Sequence, residues 1–309
     1  MLGRVTNQTA AMASSRMLQA NQARLAQLNS QASSLKAITV PSDDPTATGQ
    51  SLLVRSQQSA NSQYARNATD GVGWLSTTDA AMSDTSKILN RIRDLTVQGA
   101  NDGSMSATAK EAIATELVGL KSDLLATANT SFKGRSVFAG SSDAGVAFTP
   151  GTSTTDPATG VVTTTQPAFT GTAGSSVQRR IADGTTVTVD TDGAAVFGTG
   201  SDSVFSMVDD IVSDLRSGVN VSSHLADIDT HLTAVRGAWG DVGVRQSQLE
   251  RAQDSLASNG VSLENQRSGI EDLDLAKVIL DLQTQSVTYQ SALATTAKVI
   301  QPTLMDFLR

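Results

Sequence analysis

The feature that most constrains this chain is an apolar spacing of alternating three and four residues, carried by both ends and interrupted in the middle. Near the start, Leu18, Asn21, Leu25, Leu28, Ala32 and Leu35 keep that spacing, which places them on one seam of a helix. Near the end, Leu275, Ile279, Leu282, Ser286, Tyr289, Leu293, Thr296 and Ile300 keep it again. A seam of this kind needs a second helix to cover it. Neither seam has an obvious partner in its own half of the chain, so the two are expected to pair with each other. Closing so long a loop costs entropy that rises only logarithmically with length. The candidate packing residues are Leu18, Leu25, Leu28, Leu35, Leu275, Ile279, Leu282, Tyr289, Leu293 and Ile300, and they imply interfaces, with no chemistry. Because Asn, Ser, Thr and Ala interrupt both seams, the pair is expected to order only when neighbouring copies cover it.

Between the seams the pattern changes several times. Pro41, Asp43, Asp44 and Pro45 cannot continue a helix and predict a fixed turn, with the two carboxylates capping the helix that follows. That helix is expected to break or bend at Gly71 and Gly73, beside Trp74. Ser76 and Asp79 have capping-box spacing, and Ala81, Thr85, Ile88, Ile92 and Leu95 make a further seam ending near Gly99 to Gly103. Another helix, starting at Ser106 or Thr108 and carrying Ile113, Leu117, Leu120 and Leu124, completes an antiparallel hairpin. From residue 132 to 200 the chain turns rich in Gly, Thr and Val. Residues 161 to 165 and 185 to 189 predict strands, and Asp192-Gly193 predicts a hairpin turn. Helix returns with Phe205, Val208, Val212 and Leu215. An unbroken seam then runs from Leu225 through Trp239 to Leu256, with a break expected at Gly260.

The fold class is therefore mostly α with a small β insert. Hydrophobic residues make up 39% of the chain and aromatics only 4%, which suits thin helical layers better than a thick globular interior. The net charge of -7, with 23 basic residues scattered among 30 acidic ones, argues against nucleic acid as a partner. The absence of cysteine removes disulfides, thiolate nucleophiles and Cys-based zinc sites. The first dozen residues lack the basic and apolar regions of a cleaved signal peptide, and no apolar run approaches the length of a spanning helix. Membrane insertion is not expected.

Candidate chemistry is sparse. His224 and His231 lie seven residues apart with Asp227 between them, a spacing that could hold a metal. Two solvated histidines beside the Leu225, Ile228 and Leu232 seam explain them as well. Asp190-Thr191-Asp192-Gly193 resembles the start of a calcium loop but lacks the later acidic residue such a loop needs. Adjacent Asp43 and Asp44 could be drawn as an acid-base pair, against the simpler capping role. No nucleophile elbow or phosphate-binding glycine motif occurs, so neither an enzyme nor a cofactor is expected. The sequons at Asn7, Asn67, Asn129 and Asn220 are what an Asn-, Ser- and Thr-rich chain contains by chance.

Several strings, in order along both ends, carry a resemblance. They are RVTNQ from Arg4, PSDDP from Pro41, WLSTTDAAM from Trp74, RIRDLTVQGAN from Arg91, FKGRSVFAG from Phe132, and Tyr289, Ala292 and the ending LMDFLR from Leu304. The chain resembles the flagellin superfamily, and within it the hook-associated proteins on the filament side of the hook-filament junction, which PSDDP and MDFLR resemble most. The resemblance implies an elongated helical rod with coiled-coil termini. Residues 1–40 and 270–309 would pack into the polymer's inner tube and be disordered in the monomer. Residues 41–140 and 201–269 would form the rod, and 141–200 an outward variable domain.

It also implies an extracellular flagellar location, reached by the flagellar type III export route without a cleaved signal. The implied partners are other copies, the hook-side junction protein, flagellin, the export apparatus and an export chaperone. Arg91, Leu95 and Glu116 match positions that in flagellins resemble a surface read by an innate immune receptor, although Leu95 also lies on the rod seam. A flagellin filament subunit is the alternative. An intracellular coiled-coil signalling or scaffold protein is the other, and a Thr/Gly-rich insert between two seams speaks against it.

Overall fold

The computed structural model describes residues 2–101, 105–151, 153–155, 162–172 and 174–300. The chain forms α1 (Leu2–Ser34), α2 (Pro45–Gly99) and α3 (Ala107–Ala128). Among the described residues eight short strands follow: β1 (Ser131–Phe132), β2 (Arg135–Ser136), β3 (Phe148–Thr149), β4 (Ser153–Thr155), β5 (Val162–Thr164), β6 (Ala168–Phe169), β7 (Gln178–Ala182) and β8 (Thr185–Thr188). The remaining helices are α4 (Gly193–Phe197), α5 (Val204–Ser217), α6 (Leu225–Glu271) and α7 (Leu275–Ile300). The mostly α class with a small β insert is what the patterning predicts. Contacts divide the chain into two units: Met1–Ala60 with Asn259–Arg309, and Asn61–Ser258.

In the second unit α2 and α6 run antiparallel. Asn61 Nδ2 donates to Leu256 O at 2.9 Å, Trp239 Nε1 to Asp79 Oδ1 at 2.6 Å, and Arg93 Nε to Asp229 Oδ1 at 2.8 Å. The expected break at Gly71 and Gly73 is absent, because α2 is continuous over 55 residues. The glycines serve close packing instead. A Cβ at Gly71 would stand 2.8 Å from Leu249 Cδ1, and one at Gly73 would stand 2.9 Å from Phe132 Cζ. Ser76 and Asp79 are thus inside a helix and cap nothing; Asp79 receives the indole of Trp239. Likewise α6 passes through Gly260 without interruption, and the chain turns at residues 272–274 instead. A glycine in a helix costs about 1 kcal/mol relative to alanine, which packing along so long a helix overrides.

Ser106 caps α3 by accepting from Ala109 N, and α3 packs on α5, whose Phe205, Val208, Ile211, Val212 and Leu215 are all buried. The four small sheets are antiparallel pairs: β1 with β2, β3 with β6, β4 with β5 and β7 with β8. The hairpin turn between β7 and β8 is Asp183-Gly184, with Gly184 at φ 68°. Asp192 does not turn a hairpin. Its carboxylate accepts from Ala194 N at 2.9 Å and starts α4. Six of the seven phenylalanines lie between residues 132 and 205, and four of them gather here. Phe148 sits 5.2 Å from Phe169, 5.7 Å from Phe197 and 5.3 Å from Phe205. The scarce aromatic side chains are thus spent where sheets and helices meet, as their large buried area favours.

Candidate assembly interface

In the first unit α1 and α7 pack antiparallel, as the two orphan seams predict. The register is set at the loop end of the contact and again part-way along it. Ala37 N donates to Glu271 O at 2.8 Å and Leu273 N to Leu35 O at 3.3 Å, while further along Gln285 Nε2 donates to Asn21 Oδ1 at 3.1 Å. The Asn21–Gln285 pair is a polar layer within the seam, and such a layer selects one register over its neighbours. Asp44 caps α2 as expected, accepting from Ala47 N at 2.9 Å. Asp43 departs from the capping role. Its Oδ2 closes the preceding loop, accepting from Thr39 Oγ1 at 2.7 Å, Val40 N at 3.0 Å and Thr39 N at 3.1 Å. The Thr39 hydroxyl, followed by the two N–H groups, holds the Asp43 carboxyl below its ordinary value.

A clasp that no sequence pattern announces joins α2 to the end of α6. Arg55 meets Glu271 through two parallel bonds, Nε to Oε1 and Nη2 to Oε2, both 2.7 Å, and Ser51 Oγ donates to the same Oε1 at 2.5 Å. The Glu271 side chain is only 8% exposed. The Arg55 and Ser51 hydrogen bonds pull its carboxyl down to about 2, against the burial that would raise it.

The predicted packing residues divide into two sets. Leu28 is buried, and Leu18, Leu25, Leu282 and Tyr289 are half-buried in the α1–α7 pair. Leu35, Leu275, Ile279 and Leu293 face solvent, with Leu293 44% exposed. Leu35 ends the helix at φ 55°, which turns it off the seam. The side chain of Ile300 lies outside the described residues, as does the ending from Leu304. On α7 the covered positions are Val278, Leu282, Gln285, Ser286, Tyr289, Ala292 and Thr296. At 100° per residue that stripe is turned by roughly 60° from Leu275, Ile279 and Leu293. Sequence reasoning missed Val278, which is followed directly by Ile279 and Leu280, so that three-four spacing can be phased through this run in more than one way. Among the described residues, only Leu28, Val54 and Val278 are buried aliphatics of this unit, whereas the second unit's cluster extends from Ala68 to Leu256.

Among the candidate chemical groups, His224 and Asp190 have other partners in the fold. His224 Nε2 bonds Asp214 at 2.8 Å, and no group of three metal-binding side chains occurs among the described residues. Burial pushes the His231 imidazole below its ordinary value. Asp190 is buried, accepts from Val177 N at 2.8 Å and is raised by burial, which does not suit a calcium ligand. No helix among the described residues is long and apolar enough to cross a membrane. Leu95 is 2% exposed, and Arg91 Nη2 pairs with Glu116 Oε1 at 2.6 Å, so that trio offers a receptor no apolar anchor.

Comparison with known proteins decides the family. The model of the bacterial flagellin N-terminal helical region matches residues 5–143, and that of the C-terminal helical region matches residues 225–308. The chain belongs to the bacterial flagellin family. It is similar to flagellar hook-associated protein 3 of Salmonella typhimurium, 27% identical over 302 residues that cover 89% of this chain and 90% of that one. It is also similar to flagellin of Bacillus subtilis, 26% identical over 274 residues and 84% of each chain. The fold matches that of Xanthomonas campestris FlgL with a TM-score of 0.58 at 19% identity, covering 68% of this chain and 98% of that structure. The two flagellin regions fall on the helical parts, and residues 144–224 between them contain most of the β insert.

Proposed function

We propose that this chain is a structural subunit of the bacterial flagellum that joins hook to filament on the filament side, and that it catalyses nothing. The observation that carries the reading is the α1–α7 pair. It has a defined register and little apolar cover of its own, and it leaves Leu275, Ile279 and Leu293 facing outward. Such a pair gains its missing cover from neighbouring copies, so folding of the ends and assembly become one step. Residues 1–40 and 270–309 form the polymer's inner tube and order there. Residues 41–140 and 201–269 form the rod, and 141–200 face outward. Leu18, Leu25, Leu28, Leu282 and Tyr289 pack within the subunit, while Leu35, Leu275, Ile279 and Leu293 pack between subunits; Ile300 belongs to the same packing seam.

The partners are other copies, the hook-side junction protein and flagellin. The chain leaves the cell through the flagellar export apparatus with a chaperone, and it works outside the cell. The similarity to hook-associated protein 3 over nine-tenths of both chains supports the junction role. A filament subunit is the second reading, favoured by the near-equal identity to a flagellin. Deleting the gene and examining cells by electron microscopy, with an anti-flagellin blot of the medium, tests both. Bare hooks with flagellin lost to the medium are expected. Bare hooks with no flagellin polypeptide anywhere would make this chain the filament subunit and overturn the junction role.

A further inference from the structure

The second unit carries a basic groove that packing through the terminal helices leaves unexplained. Its walls are residues 63–70 of α2, the β1–β2 turn and β7, and its lining includes the cations Arg66, Lys133, Arg179 and Arg180 against one carboxylate, Asp70. In a chain of net charge -7 this concentration is unusual. Asp70 engages two of the four, receiving Lys133 Nζ at 2.6 Å and Arg179 Nε at 2.8 Å. Arg66 is exposed and bonds Gln63 Oε1 at 2.6 Å, and Arg180 meets Asp183, itself almost fully exposed. Lys133 sits at φ 51° and Gly134 at φ 80° in the two-residue turn. That conformation is one Asn or Gly adopts more readily. A lysine held there, on the rim of a groove, points to a task for its side chain.

A complementary patch lies elsewhere on the same unit. Asp202, Asp210 and Asp227 line a depression with His224 and His231. All three carboxylates are exposed, and among the described residues none of them pairs with a cation. The two patches cannot meet within one molecule. At the basic end Gln253 of α6 touches Thr69, and at the acidic end Asp229 pairs with Arg93. The 24 residue steps of α6 from Asp229 to Gln253 span about 36 Å.

We propose that the basic groove of one copy, through Arg66, Lys133 and Arg180, receives Asp202, Asp210 and Asp227 of a second copy of this chain. A contact between unlike patches is heterologous, and repeated it builds a ring or a helix. This deepens the assembly reading and rests on it, since it assigns the orientation of neighbours in a polymer whose inner packing the terminal helices supply. Exposed ion pairs are weak singly and screened by salt, so the contact sets register and encounter more than total affinity.

The test is sedimentation of the full-length chain at low and high salt, with the charge-reversed variants Arg66→Glu/Arg180→Glu and Asp210→Arg/Asp227→Arg. Each variant is expected to weaken self-association at low salt by about tenfold or more, and an equimolar mixture of the two is expected to regain it, which misfolded variants would not do. Association unchanged by the reversals, or a mixture no stronger than either variant alone, overturns the contact. Ile279→Asp/Leu293→Asp separates it from the terminal packing. Loss of association in that variant, with none in the charge variants, keeps the assembly reading and refutes this one.

Discussion

Replacing Glu271 by Gln should loosen the junction of α2 with the end of α6 by an amount the clasp geometry sets. Glu271 accepts three hydrogen bonds, two from Arg55 and one from Ser51, and its carboxyl is held at about 2 from an ordinary 4.5. Undamped, that difference corresponds to about 3 kcal/mol. The Arg55 side chain is 49% exposed, and solvent screening reduces the contribution to about 1–2 kcal/mol. Because the folded value lies below the unfolded one, the stabilisation is fully present above about 4.5 and is lost as the pH falls through the interval down to about 2. Glutamine keeps a hydrogen-bonding shape without the charge, so the variant should be weaker at neutral pH and nearly indifferent to acid over that interval.

Amide hydrogen exchange read by mass spectrometry on peptides covering residues 48–58 and 262–271 checks this. Protection there should fall about 5- to 30-fold in Glu271→Gln at pH 7. The wild type should converge on the variant as the solution is acidified, after correction for intrinsic exchange rates. Equal protection at pH 7, or an acid-induced loss that persists unchanged in the variant, would refute the assignment of this stability to the clasp.

Other perturbations probe the second unit and the ends. Asn129→Ala removes the carboxamide whose Oδ1 accepts from Ala147 N at 2.9 Å and Phe148 N at 2.8 Å. It also removes the Nδ2 donor to Phe148 O at 2.8 Å, and should lower stability by about 2–4 kcal/mol in thermal unfolding; Asn129→Asp, which keeps the acceptor but sets a carboxylate oxygen against that carbonyl, should not restore it. Gly71→Ala places a methyl 2.8 Å from Leu249 Cδ1 and 3.2 Å from Val189; the expected cost is about 1–3 kcal/mol by denaturant titration, despite alanine's better helix propensity. Truncation after Gln283 removes most of α7 and should leave a chain recovered in the medium but absent from sheared flagella. Its incorporation would contradict assembly through the terminal pair.

Much of the helical architecture was legible because three-four spacing is local and strong. The pairing of α1 with α7 followed from counting seams without partners, and the start of α3 from Ser106. What failed did so where packing overrode a local cue. Gly71, Gly73 and Gly260 read as helix breakers, yet the chain remains helical through all three, and the first two let Leu249 and Phe132 approach the backbone. Asp192-Gly193 and Asp183-Gly184 are both turn signals by residue type, but only the second lies between strands that pair. The Ser51–Arg55–Glu271 clasp joins residues more than 200 positions apart, and no periodicity encodes it.

On α7 the apolar positions fall on two stripes, only one of which is covered within the chain. A helix buried on one side shows one apolar stripe, and spacing then identifies the stripe directly. Here Val278, Leu282 and Tyr289 form the stripe covered by α1, while Leu275, Ile279 and Leu293 form a second, roughly 60° round the helix. A monomer has no use for both, since exposed Leu and Ile gain nothing from water. Two adjacent stripes suit a helix that meets one neighbour within its own chain and another from a different copy, as in a bundle of more than two helices. Under the proposed assembly the outer stripe takes its cover from a neighbouring copy, while the chain's own α1 covers only the inner one. On this argument Ile279→Asp/Leu293→Asp should leave the unfolding of residues 61–258 unchanged while abolishing incorporation. A variant that still incorporates would mean the outer stripe has no partner.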